Sequence, residues 1–275
     1  MKTNMKLWVL AALGMVACVT ASSQNAYKAF DEGEKISYDA YFNLGFIWVN
    51  AARAEFSVSN ATCGKEKVWR LEAAGKTVNT FEKFYTVRDT FTSFVNKETL
   101  TPRYYVRAAH EGEYWAEDRF TFLSQSSKET SVKTSCLRKR GTETKTFSFD
   151  GEVNDMVTAI YKLRNFPNYD GLKVGDKVPF TIVYDDEGQK YDLDVRYAGR
   201  GTVKLKNGQK FRCIKLVPKV IKGKVFESED AMKIWMTDDA NHVPVYVEAK
   251  IKVGYLKAYY TGSKNLKYPL SSKVK

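Results

Sequence analysis

Apolar and polar residues alternate along most of this chain, and short polar turns interrupt the alternation. A period of two puts one set of side chains on a buried face and the other in water, the pattern of a half-buried strand. It predicts strands at Lys35–Asn43, Ile47–Ser59, Lys67–Thr77, Val87–Val95, Arg103–His110, Tyr114–Leu123, Thr130–Leu137 and Thr142–Phe149. After a break it predicts Val178–Tyr184, Tyr191–Tyr197, Thr202–Lys206, Lys210–Val217, Met232–Met236, Val243–Ile251 and Gly254–Tyr260. Asp185-Asp186-Glu187-Gly188, Asn207-Gly208 and Asp238-Asp239-Ala240-Asn241 supply turn chemistry between strands.

One hairpin can be registered from its side chains. A three-residue loop, Lys206-Asn207-Gly208 with Gly208 left-handed, keeps apolar opposite apolar. Val203 then faces Phe211, while Lys204 faces Lys210 and Thr202 faces Arg212 on the other side. A single helix interrupts the strands. Met156, Ile160, Tyr161 and Leu163 recur at near-helical spacing, Asp150 or Asn154 offers a cap, and Asn165-Phe166-Pro167 ends it. Asp155 near its start and Lys162 and Arg164 near its end suit the helix dipole. The expected fold is mainly β: a large curved antiparallel sheet or open barrel with one mid-chain helix that packs on it or plugs it. Residues 24–275 are expected to form one domain, with 150–176 as the place where it would divide.

The first residues carry a different pattern. Lys2 and Lys6 precede an apolar run from Leu7 to Ala17, followed by small residues at Ala21, Ser22 and Ser23, the layout of a secretory signal peptide over residues 1–23. The run is too short for a membrane span, which needs about 20 residues. No second long apolar stretch follows, so no transmembrane helix is expected in the mature chain. Cleavage after Ser23 would release a soluble chain beginning at Gln24. Met15-Val16-Ala17-Cys18 approximates a lipoprotein box, which would instead lipidate Cys18. Either route exports the chain, to the periplasm or a periplasm-facing membrane surface of a bacterium.

Composition narrows the partners. The net charge is +12, and since residues 1–23 hold two of the 44 basic and none of the 32 acidic residues, it falls to about +10 after their removal. Nucleic acid is not the expected partner of an exported chain, so the excess charge points toward anionic lipid, glycan or a solvated face with no specific partner. Aromatics are abundant, with 17 Tyr, 16 Phe and 5 Trp, and Tyr and Phe favour strands. Cys63, Cys136 and Cys213 are widely spaced and without a C-x-x-C pair. One disulfide among three pairings is open to them, and neither a metal site nor a cofactor is expected.

The order of short motifs is more specific than any one of them. Phe30-Asp31-Glu32-Gly33-Glu34-Lys35-Ile36-Ser37-Tyr38 resembles the opening F-x-x-G-E-x-L-x-Y signature of a bacterial exported family, domain of unknown function 3108. Val87-Arg88-Asp89, Thr99-Leu100-Thr101-Pro102, Glu111-Gly112, the helix ending at Arg164, Trp235-Met236-Thr237-Asp238 and Pro244-Val245 follow in that family's order. The resemblance implies an envelope-associated β-rich domain and carries over no catalytic residue.

Candidate chemistry therefore rests on the residues themselves. Nucleophile elbows, zinc helices and phosphate-cradling glycine loops are absent from the sequence. Asp89, Glu111 and Asp238 are the carboxylates to consider, with Arg164 as a partner; Asp89 stands out because it lies inside an aromatic strand. Cys136 with His110 is a weaker nucleophile pair, since a strand cysteine is usually a small apolar residue. No residue is assigned as catalytic.

Two surface features remain. Val195 to Phe226 contains ten basic residues and no acid, and the chain from Ala249 onward contains seven lysines and no acid. In the deduced hairpin register Lys204, Lys206, Lys210 and Arg212 all point outward, a candidate anionic-surface contact. Phe46, Trp48, Tyr104, Tyr105, Tyr114 and Trp115 could line a groove, with Trp48, Tyr105 and Trp115 the candidate ligand contacts. Tyr104 and Tyr105 are adjacent, so only one of them can face the core. The sequence thus favours a non-catalytic binding or scaffolding module for an amphipathic lipid or glycan. An envelope hydrolase using Asp89 and Glu111 is the alternative.

Overall fold

A computed structural model describes residues 28–44, 46–83, 85–183, 188–220, 226, 228–252 and 254–274; the expected leader, with Cys18, lies outside them. Eight strands come first: β1 Lys35–Leu44, β2 Ile47–Cys63, β3 Glu66–Thr77, β4 Val87–Asn96, β5 Pro102–Glu111, β6 Tyr114–Gln125, β7 Glu129–Arg138 and β8 Gly141–Asp150. A one-turn helix, α1 (Asn79–Glu82), joins β3 to β4, and α2 (Met156–Arg164) follows β8. Then come β9 Lys177–Val178, β10 Thr181–Val183, β11 Lys190–Asp192, β12 Val195–Lys204, β13 Lys210–Pro218, β14 Met232–Thr237, β15 Pro244–Ile251, β16 Gly254–Lys264 and β17 Lys273–Val274.

Fifteen strands make one antiparallel sheet in the order β8-β7-β6-β5-β4-β3-β2-β1-β16-β15-β14-β13-β12-β9, with β17 beside β13. Two meanders meet at its centre, where β1 pairs β2 on one side and β16 on the other. The sheet does not close into a barrel, because β8 and β9 are not paired to each other. Most of β8 is exposed and carries Glu143, Lys145 and three threonines, a polar edge that discourages further strand pairing. β10 and β11 form a separate two-stranded sheet.

The helix fills the curl of the first meander. α2 packs against β3, β4 and β10. Its Val157 and Tyr161, with Val153 and Phe30, meet Val58, Leu71, Tyr105, Phe120, Val132 and Phe149 on the sheet's inner face. β7 shows how alternation builds that face, with Thr130, Val132, Thr134 and Cys136 buried in turn. Each large apolar side chain so buried contributes about 1.5–3 kcal/mol. In the second meander β13 is covered on both faces. Phe211 and Cys213 join Ile36, Tyr38 and Val243, while Ile214 and Leu216 join Leu163, Tyr169 and Met236.

The structure departs from the sequence reading locally. The helix is capped by Asp155, not Asp150 or Asn154. Asn154 is taken by a backbone bridge to Ile182, with its N–H on Thr181 O at 2.9 Å and its C=O accepting from Val183 at 2.9 Å. Asp155 is then the last extended residue, and its carboxylate accepts from Thr158 N at 2.9 Å, Thr158 Oγ1 at 2.6 Å and Ser93 Oγ. The expected strands Tyr191–Tyr197 and Thr202–Lys206 are divided differently. Val195–Lys204 is one strand with a bulge between Tyr197 and Arg200, where Gly199 adopts φ +92°. The hairpin register is as expected: Val203 pairs Phe211, Lys204 pairs Lys210 and Thr202 pairs Arg212, with Gly208 at φ +87°.

Candidate functional site

Arg164 does not pair with any of the three carboxylates proposed from sequence; it meets Glu34. The two side chains are 2% and 0% exposed, with Nη1 on Oε1 at 2.6 Å and Nη2 on Oε2 at 2.9 Å. The guanidinium also donates to Asn241 O at 3.1 Å and Ala29 O at 3.4 Å, and it lies over the Tyr161 ring at 5.2 Å. Burial pulls its pKa down, but the Glu34 charge and hydrogen bond outweigh that and hold it above its ordinary value. Three distant segments, the opening one at Ala29–Glu34, the helix end and the β14–β15 turn, are joined at this one point. Sequence order shows each motif but not their meeting, since 130 residues separate the partners.

Asp89 and Glu111 do come together. Asp89 pairs Ala109 and Val87 pairs Glu111, so the two carboxyls are diagonal neighbours on adjacent strands, and they share a side-chain hydrogen bond. Asp89 also accepts from His110 N at 3.1 Å. Arg107 binds Glu111 at 3.1 Å and Asp118 at 3.1 Å, and Arg138 binds Asp118 at 2.5 Å. The result is a chain of three carboxyls and two guanidiniums across β4 to β7. Burial, then the Asp89 charge, raise the Glu111 pKa above its ordinary value. By strand alternation this network shares the inner face with Tyr105 and Phe120. Arg107, Asp118 and Arg138 were not singled out in the sequence, although opposite charges at cross-strand positions were the available signal.

Asp238 is elsewhere. Arg200 Nε donates to it at 3.0 Å beside a cleft of about 310 Å³ lined by Phe166, Tyr169, Asp170 and His242. Cys136 is buried on the inner face while His110 is exposed, so they form no pair, and no disulfide joins Cys63, Cys136 and Cys213. No cluster of three or more His, Cys, Asp or Glu able to hold a metal occurs among the described residues.

The exposed aromatics are gathered by topology. The β1–β2, β5–β6 and β15–β16 turns and the β3–β4 connection all lie at one end of an antiparallel sheet. They carry Phe46, Ile47 and Trp48, then Tyr114 and Trp115, then Tyr255, then Tyr85, seven of the ten large apolar residues exposed among those described. Neighbouring turns touch. Lys257 lies 4.4 Å over the Trp48 ring, the Gly254 position approaches Asn43 O, and Gly112 sits against the Tyr85 ring. Exposed Lys83, Lys139, Arg140 and Lys252 stand among them. Trp48 and Trp115 thus share a rim, but Tyr105 does not join them: it is 2% exposed in the core, stacked near Phe120. Tyr104, facing the other way, is half-buried beside Phe94. Ile47, Tyr85 and Tyr255 were missed, and their signal was position, because turns are ordinarily polar.

The basic tract sorts itself in the fold. Arg196 pairs Asp230, Arg200 pairs Asp170 and Asp238, Lys219 pairs Glu229, and Lys215 lies over the Trp235 ring. Lys204, Lys206, Lys210 and Arg212 are exposed and meet no carboxylate among the described residues. Lys206 lies 3.6 Å over the Tyr41 ring, and Arg212 donates to Ser271 O at 3.1 Å.

A family model described as a protein of unknown function, DUF3108, matches residues 37–261. The chain belongs to the DUF3108 family. The match spans the rim, the inner-face network, Arg164 and the basic hairpin, and it leaves Glu34 just outside. Among solved structures, the crystal structure of a β-barrel-like protein of domain of unknown function DUF1849 from Brucella abortus is similar. That similarity covers 84% of this chain and 96% of the other, with a TM-score of 0.53 and 9% identity. At such identity the likeness concerns the fold. No curated protein matches the chain.

Proposed function

We propose that this DUF3108 chain is an exported module of the bacterial cell envelope that acts by binding, and that an amphipathic lipid is met at its aromatic rim. The observation carrying this reading is the segregation of exposed Phe46, Ile47, Trp48, Tyr114, Trp115 and Tyr255 to one end of the sheet. Rings with an apolar body and a polar tip favour the boundary between lipid and water, and interleaved lysines favour anionic headgroups. Each ring taken out of water there would add about 1.5–3 kcal/mol. No described helix is long and apolar enough to cross a membrane. The basic and apolar leader at residues 1–17 is what supports export.

The hydrolase alternative is less well served by this geometry. Glycosidase carboxyls stand about 5–9 Å apart with the substrate between them. Asp89 and Glu111 instead bond to each other, and Glu111 to Arg107, on one sheet face.

Vesicle flotation tests the proposal. The wild-type chain should float with phospholipid vesicles, and F46S/W48S/W115S should stay at the bottom with its circular dichroism unchanged. Wild-type protein that ignores both neutral and anionic vesicles would overturn it. Mass measurement of protein purified from the envelope reads export directly: a mature end at Gln24 or a lipidated Cys18 supports it, and an intact Met1 refutes it.

A further inference from the structure

We infer that the tip of the β12–β13 hairpin is a second binding surface, for a soluble polyanion such as a glycan bearing carboxylates or phosphates. It is built from residues separate from the rim and does not depend on it. Lys204 and Lys210 are directly opposed across the hairpin, with Lys206 in the turn and Arg212 two residues along the strand. Cross-strand neighbours lie about 5 Å apart, a spacing at which like charges destabilise the pair.

The C-terminal segment is laid against this hairpin. β17 pairs β13 through Lys210–Val274 and Phe211–Lys273, and Arg212 N donates to Ser272 O at 2.9 Å. Leu266 and Leu270 anchor the segment on the core beneath. Two acid-free tracts, distant in the sequence, are thereby placed side by side, and exposed Lys273 is added to the edge.

Three other cations of the basic tract show why this cluster calls for an outside anion. Arg196, Arg200 and Lys219 each receive a carboxylate from elsewhere in the fold. The four at the hairpin tip receive none among the described residues, and a concentrated positive field attracts anions from solution.

The kind of anion follows from what accompanies the charge. Val274 is the one exposed large apolar residue beside the cluster among those described, so nothing comparable to the rim is available to enter a bilayer. Single exposed lysine contacts are weak and screened over about 8–10 Å. A polymer presenting several charges at once holds where a single ion does not.

The test compares wild type, K204E/K210E, the neutral K204Q/K210Q and the rim variant F46S/W48S/W115S on two probes, polygalacturonate resin and phosphatidylglycerol vesicles. Wild type and the rim variant should be retained by polygalacturonate at low salt and released as salt rises. K204Q/K210Q should elute earlier and K204E/K210E should lose retention, with the circular dichroism of both unchanged. Wild type that flows through at low salt overturns the inference, as does K204E/K210E retained like wild type. So does a loss in K204E/K210E that is larger on the vesicles than on the resin. Failure of the rim proposal would appear instead as vesicle binding that F46S/W48S/W115S retains.

Discussion

Replacing Arg164 by Met removes a guanidinium that is 2% exposed and leaves the fully buried Glu34 carboxylate without its counter-charge. It also strips donors from the carbonyls of Asn241 and Ala29, so the N-terminal segment, α2 and the β14–β15 turn lose their common anchor. Breaking one side of a buried pair costs about 3–5 kcal/mol. For a chain of this size each kcal/mol lowers Tm by about 2–4 °C, so R164M should melt about 6–20 °C below wild type. E34L/R164M removes both charges. It should recover at least about 1 kcal/mol of the loss, because no naked ion remains, while the two orphaned carbonyls keep it below wild type. Urea unfolding followed by circular dichroism and by tryptophan fluorescence gives all four corners of the cycle, provided m is unchanged. An R164M loss under about 1 kcal/mol, or a double variant as unstable as the two single losses summed, would refute the view that a desolvated ion pair holds these segments.

Two further outcomes are expected. The pKa of Glu111 is raised by burial and then by Asp89, so its stabilising proton is fully held below the ordinary glutamate range and is lost as pH rises through the higher folded value. E111Q has no such proton to lose, so wild type should fall in stability relative to E111Q between acid and neutral pH; a difference that stays constant in denaturation curves across that range would be inconsistent with a raised Glu111 pKa. The Cys213 thiol is pushed up to about 12 by burial and then by Asp238 and Asp239, whereas Cys63 is half-buried. Maleimide labelling mapped by mass spectrometry should modify Cys63 in the native protein and Cys213 only after unfolding, and native labelling of Cys213 would contradict that environment.

The elements and their local pairing were legible in the chain because their causes are local. Period-two alternation from Lys35 to Phe149 marks strands wherever they end up, and the parity of Val203 against Phe211 admits one comfortable register around Asn207-Gly208. The helix ending at Arg164 was legible for the same reason, but its cap was not. Asp155 takes that role because Asn154 is claimed by Ile182, a contact no local pattern announces. Which end of the sheet a turn occupies depends on how many strands precede it and on β1 pairing with β16, whose partners Lys35 and Lys264 are 229 positions apart and meet only in the folded sheet, so the rim could not be read from Trp48 and Trp115 alone. Tertiary structure likewise decided which charges find partners. Glu34 and Arg164 are driven together because neither ion can be dehydrated alone, and Asp89 meets Glu111 through the β4–β5 register. At the hairpin tip the same sorting provides no acid for Lys204 and Lys210, and that arrangement exists only because β12, β13 and β17 are laid side by side.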